Sequence, residues 1–227
     1  MADPVAVGRD LFALLDRVEE QLTAAKFRVT RQTFEATIPG RGRQTLVNLV
    51  ATPRGREGDT TRSADTIVVL AHRDNLGLSP GANDNGSGTA VLLELAREIG
   101  TTALGHTLVF VSTDGGAYGG IGARQLAELG STNPQSPFSK GRALAVVNLS
   151  ALAGRGSPRL IFGGDGTRLP SPSLLATADA AVIEQTGDRA TRAGGIAQLI
   201  DLAFPLSLYE QAPFLDEGVS ALTLSSA

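Results

Sequence analysis

A continuous apolar run, Thr66-Ile67-Val68-Val69-Leu70 within Asp65 to Ala71, constrains the fold of this chain more than any other segment. Polar residues do not alternate with the β-branched ones, a pattern typical of a strand buried on both faces. Strands of this kind occur in parallel sheets that helices cover on both sides. Similar runs predict further strands at Thr107 to Ser112, Leu144 to Leu149, Arg159 to Phe162 and Ser220 to Leu224.

Helical patterns separate these strands. Apolar residues recur at helical spacing in Thr89 to Ile99, Ile121 to Leu129 and Leu174 to Gln185. Alternation of strands and helices predicts an α/β fold: a doubly wound, mostly parallel sheet with helices on both faces. Ligands of such sheets bind beyond the carboxyl ends of the strands, so the loops that follow the strands are the candidate site.

The N-terminal part of the chain reads differently. Val5 to Ala25 carries apolar residues at helical spacing and is predicted to form an amphipathic helix. Phe27 to Thr37 and Gln44 to Thr52 are predicted to pair as a hairpin around the turn Pro39-Gly40-Arg41-Gly42. The polar stretch from Ala51 to Ala64 is predicted to be a loop.

Composition limits the size and the class of the protein. A chain of 227 residues with 42% hydrophobic residues is expected to form one domain over residues 1–227. The net charge of −3 gives no reason to expect nucleic acid as a partner, and the lack of Cys excludes disulfides.

The sequence shows no signal peptide and no apolar run long enough to span a bilayer, so we expect no membrane contact from this segment itself. Met1 is the only Met, and the chain stops directly after an apolar run; we therefore expect it to be trimmed at both ends.

The predicted strand ends carry recognisable motifs. Ala71-His72-Arg73-Asp74 is followed by Gly81-Ala82-Asn83-Asp84-Asn85-Gly86-Ser87-Gly88, which leads into a helix. Further motifs follow in chain order at Tyr118 to Arg124, Val146 to Leu149 and Ala212 to Val219. In these motifs the chain resembles the co-catalytic dizinc aminopeptidase family, which includes glutaminyl-cyclase-like enzymes and carboxypeptidase-II-like ectodomains. The resemblance covers nearly the whole chain and implies a zinc-aminopeptidase-like three-layer sandwich.

The resemblance also implies roles for three residues. His72 matches a strand-end His that ligates one zinc ion, and Asp84 matches the Asp that bridges two zinc ions. Asp74 matches a carboxylate that orients the His ring without binding metal. In the family, the paired metals activate a water for attack on a peptide carbonyl. Family members commonly hold a cis peptide bond after the bridging Asp, so we expect one at Asp84–Asn85.

Other positions depart from the family pattern. Gly115-Gly116-Ala117 stands where the family has Gly-Glu-Glu, which supplies the general base and a zinc ligand, and Ser150 stands where it has an Asp ligand. The stretch after Leu224 that would hold the last His ligand is absent. The chain has only two His, and His106, which opens a strand, is expected at the surface. We therefore expect a vestigial site, no catalytic residue intact and no zinc cofactor.

Two functions from different classes follow from this pattern. The first is a non-catalytic binding or scaffolding domain that keeps the aminopeptidase fold. The alternative is a zinc-dependent aminopeptidase or other metallohydrolase with a rearranged or mononuclear site, in which Asp114 or Glu210 replaces a lost carboxylate. If the metals are gone, a cation such as the side chain of Arg73 is expected near His72 and Asp84, because buried carboxylates without a counter-charge are costly.

Other routes to catalysis have little support. Ser87 lies in Gly86-Ser87-Gly88 without the strand and helix context of a nucleophile elbow, so it is predicted to cap a helix. Gly115-Gly116 and Gly163-Gly164 match no nucleotide-binding fingerprint and are predicted to be turns.

The expected partner is a protein or a peptide of unknown identity. Because Lys is confined to Lys26 and Lys140 and family enzymes often act outside the cytoplasm, we expect an extracytoplasmic or secreted bacterial protein with a possible membrane tether outside this segment.

Overall fold

The computed structural model describes residues 4–54, 65–100, 102, 104–192, 207 and 209–226. Its helices and strands alternate along most of the chain, as the apolar runs predict. In chain order they are α1 Pro4–Ala24, β1 Phe27–Ile38, β2 Gly42–Pro53, β3 Thr66–His72, α2 Gly88–Ile99, β4 Thr107–Thr113, α3 Ile121–Thr132, β5 Ala143–Leu149, β6 Arg159–Ile161, α4 Pro172–Thr186, α5 Ala212–Asp216 and β7 Ala221–Ser225.

One seven-stranded sheet, in the order β1-β2-β4-β3-β5-β7-β6, forms the middle layer. The four central strands β4, β3, β5 and β7 run parallel to one another. The hairpin β1–β2 pairs antiparallel to β4 at one edge, and β6 pairs antiparallel to β7 at the other. The prediction of a parallel sheet therefore holds for the centre, and the outer strands make the sheet mixed.

Residues that alternate along the strands contact different helices. One apolar cluster joins α3 and α5 to the sheet through residues such as Leu70, Leu126 and Phe214. A second cluster joins α1 and α2 to the opposite face through residues such as Leu22 and Phe110. Since β3 contributes to both clusters, its continuous apolar sequence is explained by burial on both faces, and the predicted three-layer α/β fold is confirmed.

Predicted and observed boundaries agree within a few residues. The hairpin turn is tight because Gly40 and Gly42 adopt positive φ values of 75° and 72°, which glycine reaches without steric cost. The short helix α5 was not predicted, since five residues carry no helical periodicity. Residues 55–64 of the predicted polar loop lie outside the described residues. Within the described part of the chain, no helix combines the length and apolar character needed to cross a membrane.

Candidate functional site

The carboxyl ends of the parallel strands bring the family motifs together. His72 is the last residue of β3 and pairs in register with Thr113, the last residue of β4. Ser150 directly follows β5 and donates its backbone N–H to Leu224 of β7 at 3.1 Å. His72 and Ser150 are both buried, so the sequence-based placement of these two residues is correct.

Acidic residues flank the imidazole of His72. Its Nε2 lies 3.3 Å from Oδ1 of Asp84, and its Nδ1 lies 3.0 Å from the carbonyl oxygen of Asp74 and 3.5 Å from Oδ1 of the same residue. Burial opposes protonation of His72, but Asp74 and Asp84 outweigh it and raise the pKa of the imidazole to about 11. The same contact lowers the pKa of Asp84. The cation expected beside Asp84 is therefore His72 itself.

Asp74 contacts His72 through its backbone carbonyl oxygen rather than through a carboxylate hydrogen bond, and its carboxylate binds the turn after β4. This turn is a short 3-10 helix, Gly116–Tyr118. Oδ1 of Asp74 accepts the backbone N–H of Gly116 at 2.9 Å, and Oδ2 accepts that of Ala117 at 3.1 Å. Asp74 thus fixes the two positions at which the family carries its glutamates.

Gly116 packs directly against His72. A Cβ atom added at this glycine would lie 2.2 Å from Cβ and 2.4 Å from Cγ of His72, which is far inside van der Waals contact. The neighbouring atoms belong to the root of the His72 side chain, so they cannot move away without the strand end. A glutamate at position 116 does not fit while His72 and the turn keep these places.

A loop from Ala82 to Ser87 carries Asp84 and is tied to the end of β5. The amide of the buried Asn85 donates to Leu149 O at 2.8 Å and accepts the N–H of Ala151 and of Gly88, each at 3.1 Å. Asp84, by contrast, leaves 64% of its side chain exposed. The peptide bond Asp84–Asn85 is cis, which confirms the prediction for this bond.

Ser87 occupies the N-cap position of α2, as predicted, but its side chain does not cap the helix. Its side chain makes no capping hydrogen bond; the hydroxyl donates to Asn83 O at 2.6 Å and accepts the N–H of Leu152 at 2.8 Å. Asn85 satisfies the first turn of α2 instead, through Gly88 N. The Ser87 hydroxyl links the Asp84 loop to the loop after β5.

Arg73 and Asp114 pair with each other rather than with His72 or Asp84. Arg73 donates to Asp114 Oδ2 at 2.9 Å and to the backbone oxygens of Ser112, Thr113 and Val47. Burial raises the pKa of Asp114, and the guanidinium of Arg73 opposes that rise. We expected Arg73 to neutralise His72 and Asp84, and Asp114 to turn towards a metal. The structure instead shows Arg73 and Asp114 as an ion pair beside β2, where each balances the charge of the other.

Glu210 is fully enclosed near the same strand ends. Thr113 Oγ1 donates to its Oε1 at 2.5 Å, whereas Oε2 has no hydrogen-bond partner in the described structure. Burial raises the pKa of Glu210 to about 7, against a smaller opposing effect of the charge on His72. The next residue, Gln211, bonds Thr223 Oγ1 at 2.6 Å, a buried contact that sequence patterns did not indicate.

The side chains present at this site do not match the ligands of the two zinc ions that the fold family implies. Structural and catalytic zinc ions take three or four protein ligands. Across the described residues, no group of three or more His, Cys, Asp or Glu side chains is arranged to hold a metal ion. His72 and Asp84 form a pair, and Gly116, Ala117 and Ser150 offer no carboxylate. His106, the second His, is exposed beside the amino end of β4.

Comparison with known proteins agrees with this geometry. The sequence profile of Peptidase family M28 matches residues 48–226, which include every strand end described above. The chain belongs to Peptidase family M28. Among solved structures, the glutaminyl cyclase of Fimbriiglobus ruber superposes with a TM-score of 0.71 at 19% identity, over 95% of this chain and 76% of that one. At this identity the likeness establishes the M28 fold.

Several M28 relatives share part of the sequence. Aminopeptidase YwaD of Bacillus subtilis is 34% identical over 40% of this chain and 17% of its own length. BOS complex subunit NCLN of Homo sapiens is 33% identical over 48% of this chain and 21% of its own length. The probable lipoprotein aminopeptidase LpqL of Mycobacterium tuberculosis is 30% identical over 47% of this chain and 18% of its own length. The chain thus spans about a fifth of the length of these curated relatives.

Proposed function

We propose that this M28 chain is a non-catalytic domain that keeps the aminopeptidase fold and binds a protein or peptide partner. The contact between Gly116 and His72 carries the proposal. The family's general base belongs at position 116, and a side chain there would overlap the root of His72. Without a base in this place, the site lacks the residue that in the family removes a proton from the attacking water.

The surrounding residues support the same interpretation. Ala117 and Ser150 stand where the family has metal-binding carboxylates, so the negative charge that would hold two divalent ions is reduced. The carboxylate of Asp74 binds the Gly116–Tyr118 turn through two backbone N–H groups. His72 lies between the carboxylates of Asp74 and Asp84, 3.5 Å and 3.3 Å away, where a protonated imidazole would offset their negative charge.

A second candidate, a hydrolase with one metal, is favoured by one observation. Nε2 of His72 and Oδ1 of Asp84 lie 3.3 Å apart, and Asp84 is exposed to solvent. A single cation entering from solvent would meet both atoms. Glu210 is a poor third ligand because Thr113 holds its Oε1 and burial favours its neutral form.

Zinc content measured together with hydrolysis distinguishes these functions. The protein is purified after growth with added zinc, its metal is counted by mass spectrometry, and it is assayed on aminoacyl-nitroanilides. We expect no stoichiometric zinc and no turnover. About two zinc ions per chain with turnover that a chelator abolishes would overturn the proposal, and about one zinc ion with such turnover would establish the second candidate.

His72→Ala and His106→Ala serve as matched controls for any zinc that is found. Loss of zinc only in His72→Ala assigns the metal to the strand-end site. Equal zinc in both variants and in the parent chain identifies surface binding that leaves the proposal intact.

Partner class and location belong to the same proposal. Support for a protein partner comes from the relatives named as subunits of a complex. Support for an extracytoplasmic bacterial protein, tethered outside this segment, comes from the relative named as a lipoprotein. We treat residues 1–227 as one domain, and limited proteolysis that yields one stable core would be the expected outcome.

A further inference from the structure

A pocket of about 200 Å³ lies between the β1–β2 hairpin and the turn after β4, on the Arg73 side of the vestigial site. We call it the hairpin pocket. Apolar side chains from α1 and from both strands of the hairpin, Leu15, Ile38 and Leu46, line one part of it. Arg41 and Tyr118 line another part.

Most charged groups of the hairpin pocket already have partners. Arg73 is paired with Asp114, whose carboxylate also accepts the N–H of Val47 at 3.1 Å and of Gly115 at 3.0 Å. The carboxylate of Asp74 is held by two backbone N–H groups. The acidic groups of this pocket therefore already have donor partners within the protein.

Arg41 differs from these residues because it pairs with no carboxylate of the described residues. Its guanidinium stacks over the ring of Tyr118, 5.2 Å from the centroid, and donates one hydrogen bond to Leu76 O at 3.2 Å. These two contacts fix the position of the group but leave most of its five N–H donors free. The Tyr118 hydroxyl likewise has no hydrogen-bond partner among the residues that the structure describes. The guanidinium can only donate and the hydroxyl can donate, so an anion or another acceptor would satisfy both groups.

The size of the hairpin pocket limits the ligand. Sites for whole drug-sized molecules span about 300–1,000 Å³, so a pocket of about 200 Å³ takes a smaller group, on the order of one residue. Its apolar lining selects an aliphatic side chain, and a planar guanidinium binds a carboxylate in bidentate fashion. The last residue of a peptide chain can combine an aliphatic side chain with a free carboxylate.

We propose that the hairpin pocket binds the C-terminal residue of a peptide or protein partner, with its aliphatic side chain against Leu15, Ile38 and Leu46 and its carboxylate on Arg41. This assignment rests on the proposed binding function and specifies the partner's chemistry. It concerns a pocket that lies apart from the vestigial metal ligands His72 and Asp84.

N-acetyl-L-leucine is a minimal probe, because its acetyl group mimics the preceding peptide bond. We expect it to bind in the millimolar range, as its few heavy atoms allow, with NMR shifts confined to amides near Leu46, Val47, Gly115 and Tyr118. N-acetyl-L-leucinamide, which lacks the charge, and N-acetylglycine, which lacks the side chain, should each bind about tenfold more weakly.

Arg41→Ala should remove the preference for the acid over the amide. Arg43→Ala is the matched control: Arg43 lies in the same hairpin and pairs with Glu35, and it does not line the pocket. Equal affinity for acid and amide, equal affinity for N-acetylleucine and N-acetylglycine, or unchanged binding in Arg41→Ala would each overturn the proposal. Zinc-dependent hydrolysis together with intact probe binding would refute the non-catalytic function and leave the ligand of the hairpin pocket standing. Failure of one proposal can therefore be told from failure of the other.

Discussion

Single residues at the strand ends separate what a sequence can predict from what it cannot. The family resemblance placed His72 beside Asp84 and Asp74 behind it, and both placements are observed. It did not indicate that Gly116 would touch His72, or that Arg73 would turn to Asp114. Both contacts depend on distances between segments far apart in the chain, and residue types alone carry no such distances.

Glu210 gives a prediction at this scale because its carboxyl group is buried. Its pKa rises from 4.5 to about 7, so between these pH values the folded protein holds a proton that the unfolded chain releases. The free energy of unfolding should therefore fall as the pH rises from about 4.5 to 7, by an amount on the order of 3 kcal/mol. Glu210→Gln should flatten this part of the profile, as measured by urea unfolding at a series of pH values.

Glu128→Gln provides the control for this experiment, since Glu128 is exposed on α3. It should leave the pH profile of the parent chain unchanged. If Glu210→Gln and the parent chain gave parallel profiles between pH 4.5 and 7, the carboxyl group of Glu210 would not titrate in this window.

At the scale of elements, Asn85 connects the Asp84 loop, α2 and the end of β5. Replacing it with Ala leaves Leu149 O, Ala151 N and Gly88 N without their partner in a buried place. Unsatisfied buried groups cost about 1–3 kcal/mol each, and we expect Asn85→Ala to lower the free energy of unfolding by about 3–4 kcal/mol. Chemical denaturation measures this loss.

Asn83→Ala is a matched control two residues earlier. It removes a single exposed hydrogen bond, to Ala153 N, and should cost at most about 1 kcal/mol. Similar losses in the two variants would mean that Asn85 does not hold these elements together.

Most elements could be predicted because their signals are local. The apolar run of β3 and the glycines of the hairpin turn identify their structures within a few residues of sequence. The antiparallel pairing of β2 with β4 and of β6 with β7, and the helix α5, could not be predicted in the same way. Strand direction depends on which neighbour pairs with a strand, and five residues are too short for a helical period.

At the scale of the whole molecule, the sheet separates two apolar cores. Val18 belongs to the α1–α2 core, and Val219 belongs to the α3–α5 core. Val18→Ala and Val219→Ala should each destabilise the protein by about 2 kcal/mol, from the loss of two buried methyl groups. The double variant should lose the sum within about 0.5 kcal/mol, because the two sites share no contacts. Equilibrium denaturation of all three variants tests this.

Phe138 and Phe214 serve as a control pair, because both belong to the same core. Their rings lie in the same core with centroids 6.5 Å apart, so Phe138→Leu and Phe214→Leu should be non-additive. Clear non-additivity between Val18→Ala and Val219→Ala would contradict the separation of the two cores by the sheet.

On the proposed non-catalytic function, Asp74 is an active-site residue that is retained for a structural reason. Its carboxylate anchors the Gly116–Tyr118 turn through two backbone bonds, so loss of the residue would weaken the fold whether or not hydrolysis matters to the cell. If the proposed function holds, a genome survey that infers peptidase activity by counting acidic residues would wrongly take this aspartate as evidence of activity. Positions 116 and 117 are better diagnostic markers, because the family carries its general base and a zinc ligand there and this chain has Gly and Ala.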